Sequence, residues 1–323
     1  MVEQAEKLWT FDAVDPGQYG AETVVAINAG NIAGYAQVAL NDDPRYRGAG
    51  ASLAMPTMVL AYAPLLREEI AEANGFIAQE QSKTARRQTP FAKCEIRWHQ
   101  PVGDGDTITG TRGVLEKYER RGSRFVTFRV GGVNQRGETA VEYDYTCIFD
   151  YAGGQREVPR GSGSSTGASH PHPNPPPEGE GIMAGAGIRR PRLLDYDSAV
   201  EGTPLAELSI TESQEIINNR SAFRLAGRPN ESNIHTDEEF ARQNIFGGTV
   251  NSGPATMSYV DQMLQLSFPP EAFYNGGSLL MRAITPFRSG DTVNFAGEVT
   301  GRRRENTPTL TLPRGERERG IVE

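Results

Sequence analysis

RWHQPVGDGDTITGTRGV, residues 97–114, returns as RAITPFRSGDTVNFAGEV at residues 282–299. Arg97, Pro101, Gly105, Asp106 and Thr107 match Arg282, Pro286, Gly290, Asp291 and Thr292 at one offset, because 282 − 97 and 292 − 107 both equal 185. Each block reads as a strand, a Gly-Asp turn and a second strand. Upstream of each block a proline, Pro56 or Pro254, opens an apolar segment of helical character. Repeated strand–turn–strand blocks behind repeated helices imply two copies of one unit.

Outward from the first block, Glu22 to Ile27 is short and β-branched, a strand. Asn28 caps an expected helix to about Leu40, with Ile32, Tyr35, Ala36 and Ala39 on one face. Thr57 to about Asn74 is expected as one helix, apolar on much of its circumference and therefore wrapped by a sheet, with Gly75 ending it. Strands follow at Phe91–His99, Thr107–Tyr118, Arg124–Asn134 and Thr139–Tyr151, with a hairpin loop at 135–138. A buried helix followed by antiparallel strands is an α+β pattern.

Outward from the second block, Leu205–Thr211 is a strand and Glu212 to about Ala226 a helix. A central helix is expected from Pro254 to about Leu266, then strands at Ser278–Thr285 and Asp291–Arg302. No long strands follow. The first copy continues with two, and the second continues with ENTPTLTLPRGERERGIVE. The second sheet is therefore expected to lack its last two strands, leaving a bare edge. The 153–192 stretch is rich in Gly, Ser and Pro and poor in apolar side chains, so burial cannot offset its ordering entropy. Its HPHPNPPPEGEG and the tail's PTLTLPRGE resemble translated short repeats found between bacterial genes.

The chemistry concentrates in PNESNIHTDEEFARQNIFGGTVNSGPATMSYVDQ, residues 229–262. His235 exchanges a proton near neutral pH. Gly253 opens a helix whose first N–H groups can hold an oxyanion. A base beside a positive helix end suits the addition of water to a conjugated thioester. Asn251 and Ser252 either line such a pocket or cap the helix. Asp237 reads as a cap or ion-pair partner. His99 lies in a strand with no partner motif. His170 and His172 lack acidic or cysteine ligands beside them, so no metal and no cofactor are expected.

This stretch resembles the signature of the MaoC-like, R-specific enoyl-CoA hydratases, which have the hot-dog fold. Ile234, His235, Asp237, Ala241, Phe246 and Gly253 fit it. Asn230 stands where the family has an aspartate, five residues before the histidine, and Ser232-Asn233 replace Asn-Pro. Asparagine orients water but does not titrate. Glu231 is adjacent and is the alternative acid.

The resemblance implies a double hot-dog with four parts. These are an N-terminal hot-dog at 1–152, a disordered linker at 153–192, an incomplete MaoC-like hot-dog at 193–304 and a disordered tail at 305–323. It also implies cofactor-free, reversible hydration of a 2-enoyl thioester to a 3-hydroxyacyl thioester, on coenzyme A or an acyl carrier. His235 would activate water, Asn230 or Glu231 orient it, and the Gly253 N–H stabilise the enolate. Asn251 and Ser252 would touch substrate, and the first copy would shape the acyl pocket. The rivals are a non-catalytic acyl-thioester-binding remnant and a hot-dog thioesterase.

Composition narrows the classes. Lys and Arg number 33 against 41 Asp and Glu, a formal charge of −8, which disfavours a nucleic-acid partner. The two cysteines, Cys94 and Cys147, form no CxxC and suit a reduced, cytoplasmic setting. No signal peptide and no membrane span are expected, and a homodimer is open.

Overall fold

β1 (Thr23–Ala26), α1 (Ala29–Val38), α2 (Val59–Tyr62), α3 (Arg67–Ala73), β2 (Phe91–Trp98), β3 (Thr107–Arg120), β4 (Ser123–Asn134) and β5 (Thr139–Asp150) make the first half. β6 (Leu208–Thr211), α4 (Gln214–Ala222), α5 (Glu238–Gln243), α6 (Gly253–Gln265), β7 (Ser278–Arg282), β8 (Thr292–Phe295), β9 (Arg302–Arg304) and β10 (Gly320–Val322) make the second. This computed structural model describes residues 5–155, 157, 193–229, 232–274, 276–304 and 320–322. Most of the linker and tail expected from sequence lies outside the described residues, as do Asn230 and Glu231.

The duplication runs deeper than the quoted blocks. β1 at 23–26 and β6 at 208–211 are 185 apart at both ends. So are the N-caps of α1 and α4: Asn28 accepts from Asn31 N–H and Ser213 from Ile216 N–H. The main sheet has the order β1-β3-β4-β5-β2-β7, antiparallel throughout, and β6 pairs with β8 in a separate ribbon. β7 thus joins the first half's sheet through β2. In that ladder Glu95 faces Leu280, its own counterpart 185 residues on, so a pseudo-twofold axis passes between them. Two helix-and-antiparallel-strand units that share one sheet are the α+β architecture of the expected double hot-dog.

The core lies between the main sheet and the helices. Ile32, Tyr35, Met58 and Val59 meet Cys94, Ile96, Trp98, Val130 and Tyr143, and Met257, Phe273 and Tyr274 reach in from the second half. The two central segments are bonded directly. Asp261 on α6 accepts from the Thr57 N–H (2.9 Å) and hydroxyl (2.6 Å), and Gln265 Nε2 donates to its other oxygen (2.6 Å). Both cysteines are buried and free. No helix among the described residues is long and apolar enough to cross a membrane.

β10 falls in the stretch 305–323 expected as a disordered tail, α5 was not expected, and two elements expected as single are divided. The single helix expected over 57–74 is broken into α2 and α3, because Pro64 has no N–H to donate and Leu66 adopts φ +48°. The single strand expected over 291–302 is split into β8 and β9. Between them the chain holds to residues 203–205 through Leu205 N–H to Gly297 O and Val299 N–H to Thr203 O, both 2.9 Å.

Candidate active site

Asp237 starts α5 by accepting the Phe240 N–H (3.0 Å), the cap role read from sequence. Just before it, Asn233 is buried and its Oδ1 accepts the N–H groups of His235 (2.8 Å) and Thr236 (3.2 Å). That bond shapes the loop carrying His235. Gln214 Nε2 holds the His235 carbonyl (2.8 Å), and Ile234 packs with Phe240, Ala241 and Val250 in a small apolar cluster.

The His235 ring is partly buried, and its Nδ1 lies 2.8 Å from the Val250 carbonyl oxygen. A carbonyl only accepts, so Nδ1 carries the proton and Nε2 keeps its lone pair. Burial pushes the imidazole below its ordinary value; the Val250 bond opposes this, and the Arg67 guanidinium adds to it. The histidine is thus held neutral, as a base.

Three residues beyond Val250 the central helix begins. Ser252 caps α6 by accepting the Ala255 N–H, and Asn251 Oδ1 accepts the Ser252 N–H (2.7 Å). Pro254 has no N–H, so the Gly253 N–H is the first donor of the helix. Among the described residues it meets no acceptor. Gly253 owes its place to close approach, not to a tight turn: a Cβ there would lie 2.5 Å from the Phe91 ring.

His235, Asn251, Ser252 and Gly253 line one cavity of about 870 Å³. The first half supplies Phe91, Tyr145, Ile148 and Tyr151 as one apolar wall, with Phe91 and Tyr145 in ring contact at 4.8 Å. Arg67 also lines it, ion-paired to Glu80 (3.1 Å). Sequence reading missed Arg67, Phe91 and Tyr145, since nothing local ties them to residue 235. It also missed Glu212, a buried carboxyl whose Oε1 accepts from Asn251 Nδ2 (3.0 Å) and which burial pushes up. Arg242 pairs with Glu238 (2.8 Å), and Arg288 donates to the Phe246 and Thr249 carbonyls; Arg282 stands exposed at the cavity mouth.

Residues 199–315 match the family model described as MaoC like domain. The second half is a MaoC-like domain. No curated protein matches the chain. A solved MaoC-like dehydratase superposes at a TM-score of 0.61, covering 88% of this chain and 89% of its own at 16% identity. A MaoC-like dehydratase from Phytophthora capsici gives 0.54, covering 90% and 87% at 16% identity. A Mycobacterium tuberculosis protein described as having a double hotdog fold gives 0.52, covering 97% and 96% at 15% identity. At these identities the likeness is one of fold. His235 and the Gly253 helix start both lie in the MaoC-like domain, whereas the apolar wall facing them comes from outside it.

Proposed function

We propose that the chain adds water reversibly to a 2-enoyl thioester, giving a 3-hydroxyacyl thioester. The carrying observation is that a neutral His235, its tautomer set by the Val250 carbonyl, shares one cavity with the free Gly253 N–H at a helix start. The MaoC-like domain over 199–315 supports the same reaction class. In this reading His235 Nε2 takes a proton from water as the oxygen bonds to C3. The electron pair moves to the thioester oxygen, where the Gly253 N–H and the helix dipole stabilise the enolate. The proton held on Nε2 then goes to C2, and the imidazole ends neutral. The acyl chain lies against Phe91, Tyr145 and Ile148 of the first half.

A second reading is favoured by Asn230 at the family's aspartate position: the cavity holds an acyl thioester without turning it over. Loss of the enoyl absorbance of crotonyl-CoA separates the two. We expect hydration by the native chain and a drop of about 100-fold or more in His235→Ala. The rate stays flat through neutral pH and falls only below about 6.5, the ordinary imidazole value, because burial lowers this group. Binding of crotonyl-CoA with no absorbance loss would favour the second reading. Release of free thiol would point to the thioesterase.

A further inference from the structure

The two halves share a backbone site that carries different side chains. Ile27 N–H donates to Asp106 O (2.8 Å), and Gly105 N–H to Ile27 O (3.0 Å). Glu212 N–H donates to Asp291 O (2.8 Å), and Gly290 N–H to Glu212 O (2.9 Å). These are counterparts, because 212 − 27 and 291 − 106 both equal 185. Both side chains are sealed, at 2% exposure. Ile27 belongs to the apolar core, whereas Glu212 brings a carboxyl to the same depth.

A second pair of counterparts departs in the same direction. Ala54 N–H donates to Val102 O (2.9 Å) and Asn251 N–H to Phe287 O (2.8 Å), and the acceptors are again 185 apart, 287 − 102. Ala54 joins Ile27 in the core, while Asn251 lines the cavity that holds His235 and Gly253. The two polar side chains meet, Asn251 Nδ2 donating to Glu212 Oε1 (3.0 Å). A buried carboxyl costs free energy that isoleucine at the same site does not. Burial raises this one, and the Tyr259 hydroxyl only partly opposes it. Packing therefore does not account for Glu212.

The contact fixes the Asn251 amide. The Ser252 N–H can only donate, so it holds Oδ1 on its side (2.7 Å) and leaves Nδ2 to Glu212. That nitrogen carries a second hydrogen, and no protein acceptor takes it among the described residues. Asn251 stands two residues before Gly253, whose N–H is the first donor of α6. Glu212 itself stands behind the cavity wall.

We propose that Glu212 is a positioning residue, which holds the Asn251 amide so that its second N–H joins the Gly253 N–H in binding the thioester oxygen. This rests on the reading that the cavity takes an acyl thioester, with or without hydration. Two donors hold the charge of an enolate better than one, and a donor already oriented needs no reorganisation as charge develops. Without Glu212 the amide loses the partner of its Nδ2 and turns about its side-chain torsions.

The test follows crotonyl-CoA turnover by the full chain. Separately it reads the infrared carbonyl stretch of bound butyryl-CoA, labelled with carbon-13 at the carbonyl and lacking a double bond to hydrate. Glu212→Ile installs the counterpart side chain. It is expected to lower kcat about tenfold or more with KM within about twofold, and to move the bound carbonyl stretch to higher wavenumber than in the native chain. Glu212→Gln, whose side-chain oxygen still accepts from Asn251, recovers most of both. Asn251→Ala gives the same losses, and Glu212→Ile added to it costs nothing further, because a positioning residue acts only through what it positions. Circular dichroism melting checks that each variant is folded, and Glu212→Ala takes the place of Glu212→Ile if that one is not. An unmoved carbonyl stretch in the folded variant, or losses that add in the double variant, overturns the proposal. A native chain that shows these carbonyl shifts without hydrating crotonyl-CoA supports it and sinks only the hydratase reading. A folded native chain that binds no butyryl-CoA overturns both.

Discussion

The two halves descend from one pattern yet divide the work unequally. The first half has the full sheet, with Cys94, Ile96 and Ile108 completely buried, and its His99 is exposed to solvent. The second half carries His235 and the Gly253 helix start, while the inward residues of β7 and β8 are only partly covered. The half with the candidate site borrows a wall, Phe91 and Tyr145, from the half with the packing. Duplication thus lets one copy specialise in stability and the other in a site, since a wall residue need not belong to the domain it serves.

The sharpest way to break this contrast is to cut matched side chains. Ile96→Ala should cost about 2–5 kcal/mol, as for a sealed core position, and Met281→Ala well under half of that. Urea denaturation of both variants checks it, and equal losses would mean that β7 is as well packed as β2.

Next in size is the junction between the halves. Burial pushes the Asp261 carboxyl up to about 6, against the bonds from Thr57 and Gln265. Its folded value lies above the unfolded one, so it adds stability that is full below about 4 and lost as pH rises through about 6. Between pH 7 and 4 the native chain should therefore gain on the order of 2–3 kcal/mol relative to Asp261→Asn. Parallel stability curves for the two chains would refute this.

Gly253→Ala drives a methyl into the Phe91 ring and should cost about 1–3 kcal/mol together with crotonyl-CoA turnover. Adding Phe91→Ala should restore part of the stability. If it does not, the borrowed wall is not what requires the glycine. The smallest effect separates the paired arginines. Arg97→Ala should lose up to about 1 kcal/mol with its pairs to Glu95, Glu142 and Asp144, and exposed Arg282→Ala almost nothing. Thermal melts of the two variants at low and high salt read the difference.

Local signals carried much of this architecture. The cap at Asn28, the stop at Gly75 and the hairpin around Gly137 follow from side-chain chemistry and φ preference within a few residues. So does the opening of α6 at Gly253-Pro254. The repeat announced two copies because an offset of 185 survives in the sequence itself. Pro64 breaks the segment although the apolar pattern runs on through it.

By itself, then, the sequence determined the element types, the duplication, and the placement of a histidine just ahead of a helix start. These rest on short-range forces and on a written repeat. Only the tertiary structure decided that β7 completes the first half's sheet. It also decided that Phe91 lies against Gly253, that the Val250 carbonyl selects the His235 tautomer, and that Arg97 meets Glu142 and Asp144. Those contacts join residues tens to hundreds of positions apart, or depend on how a loop closes. They are set by which surfaces must leave water together, a condition on the whole chain that no local window contains.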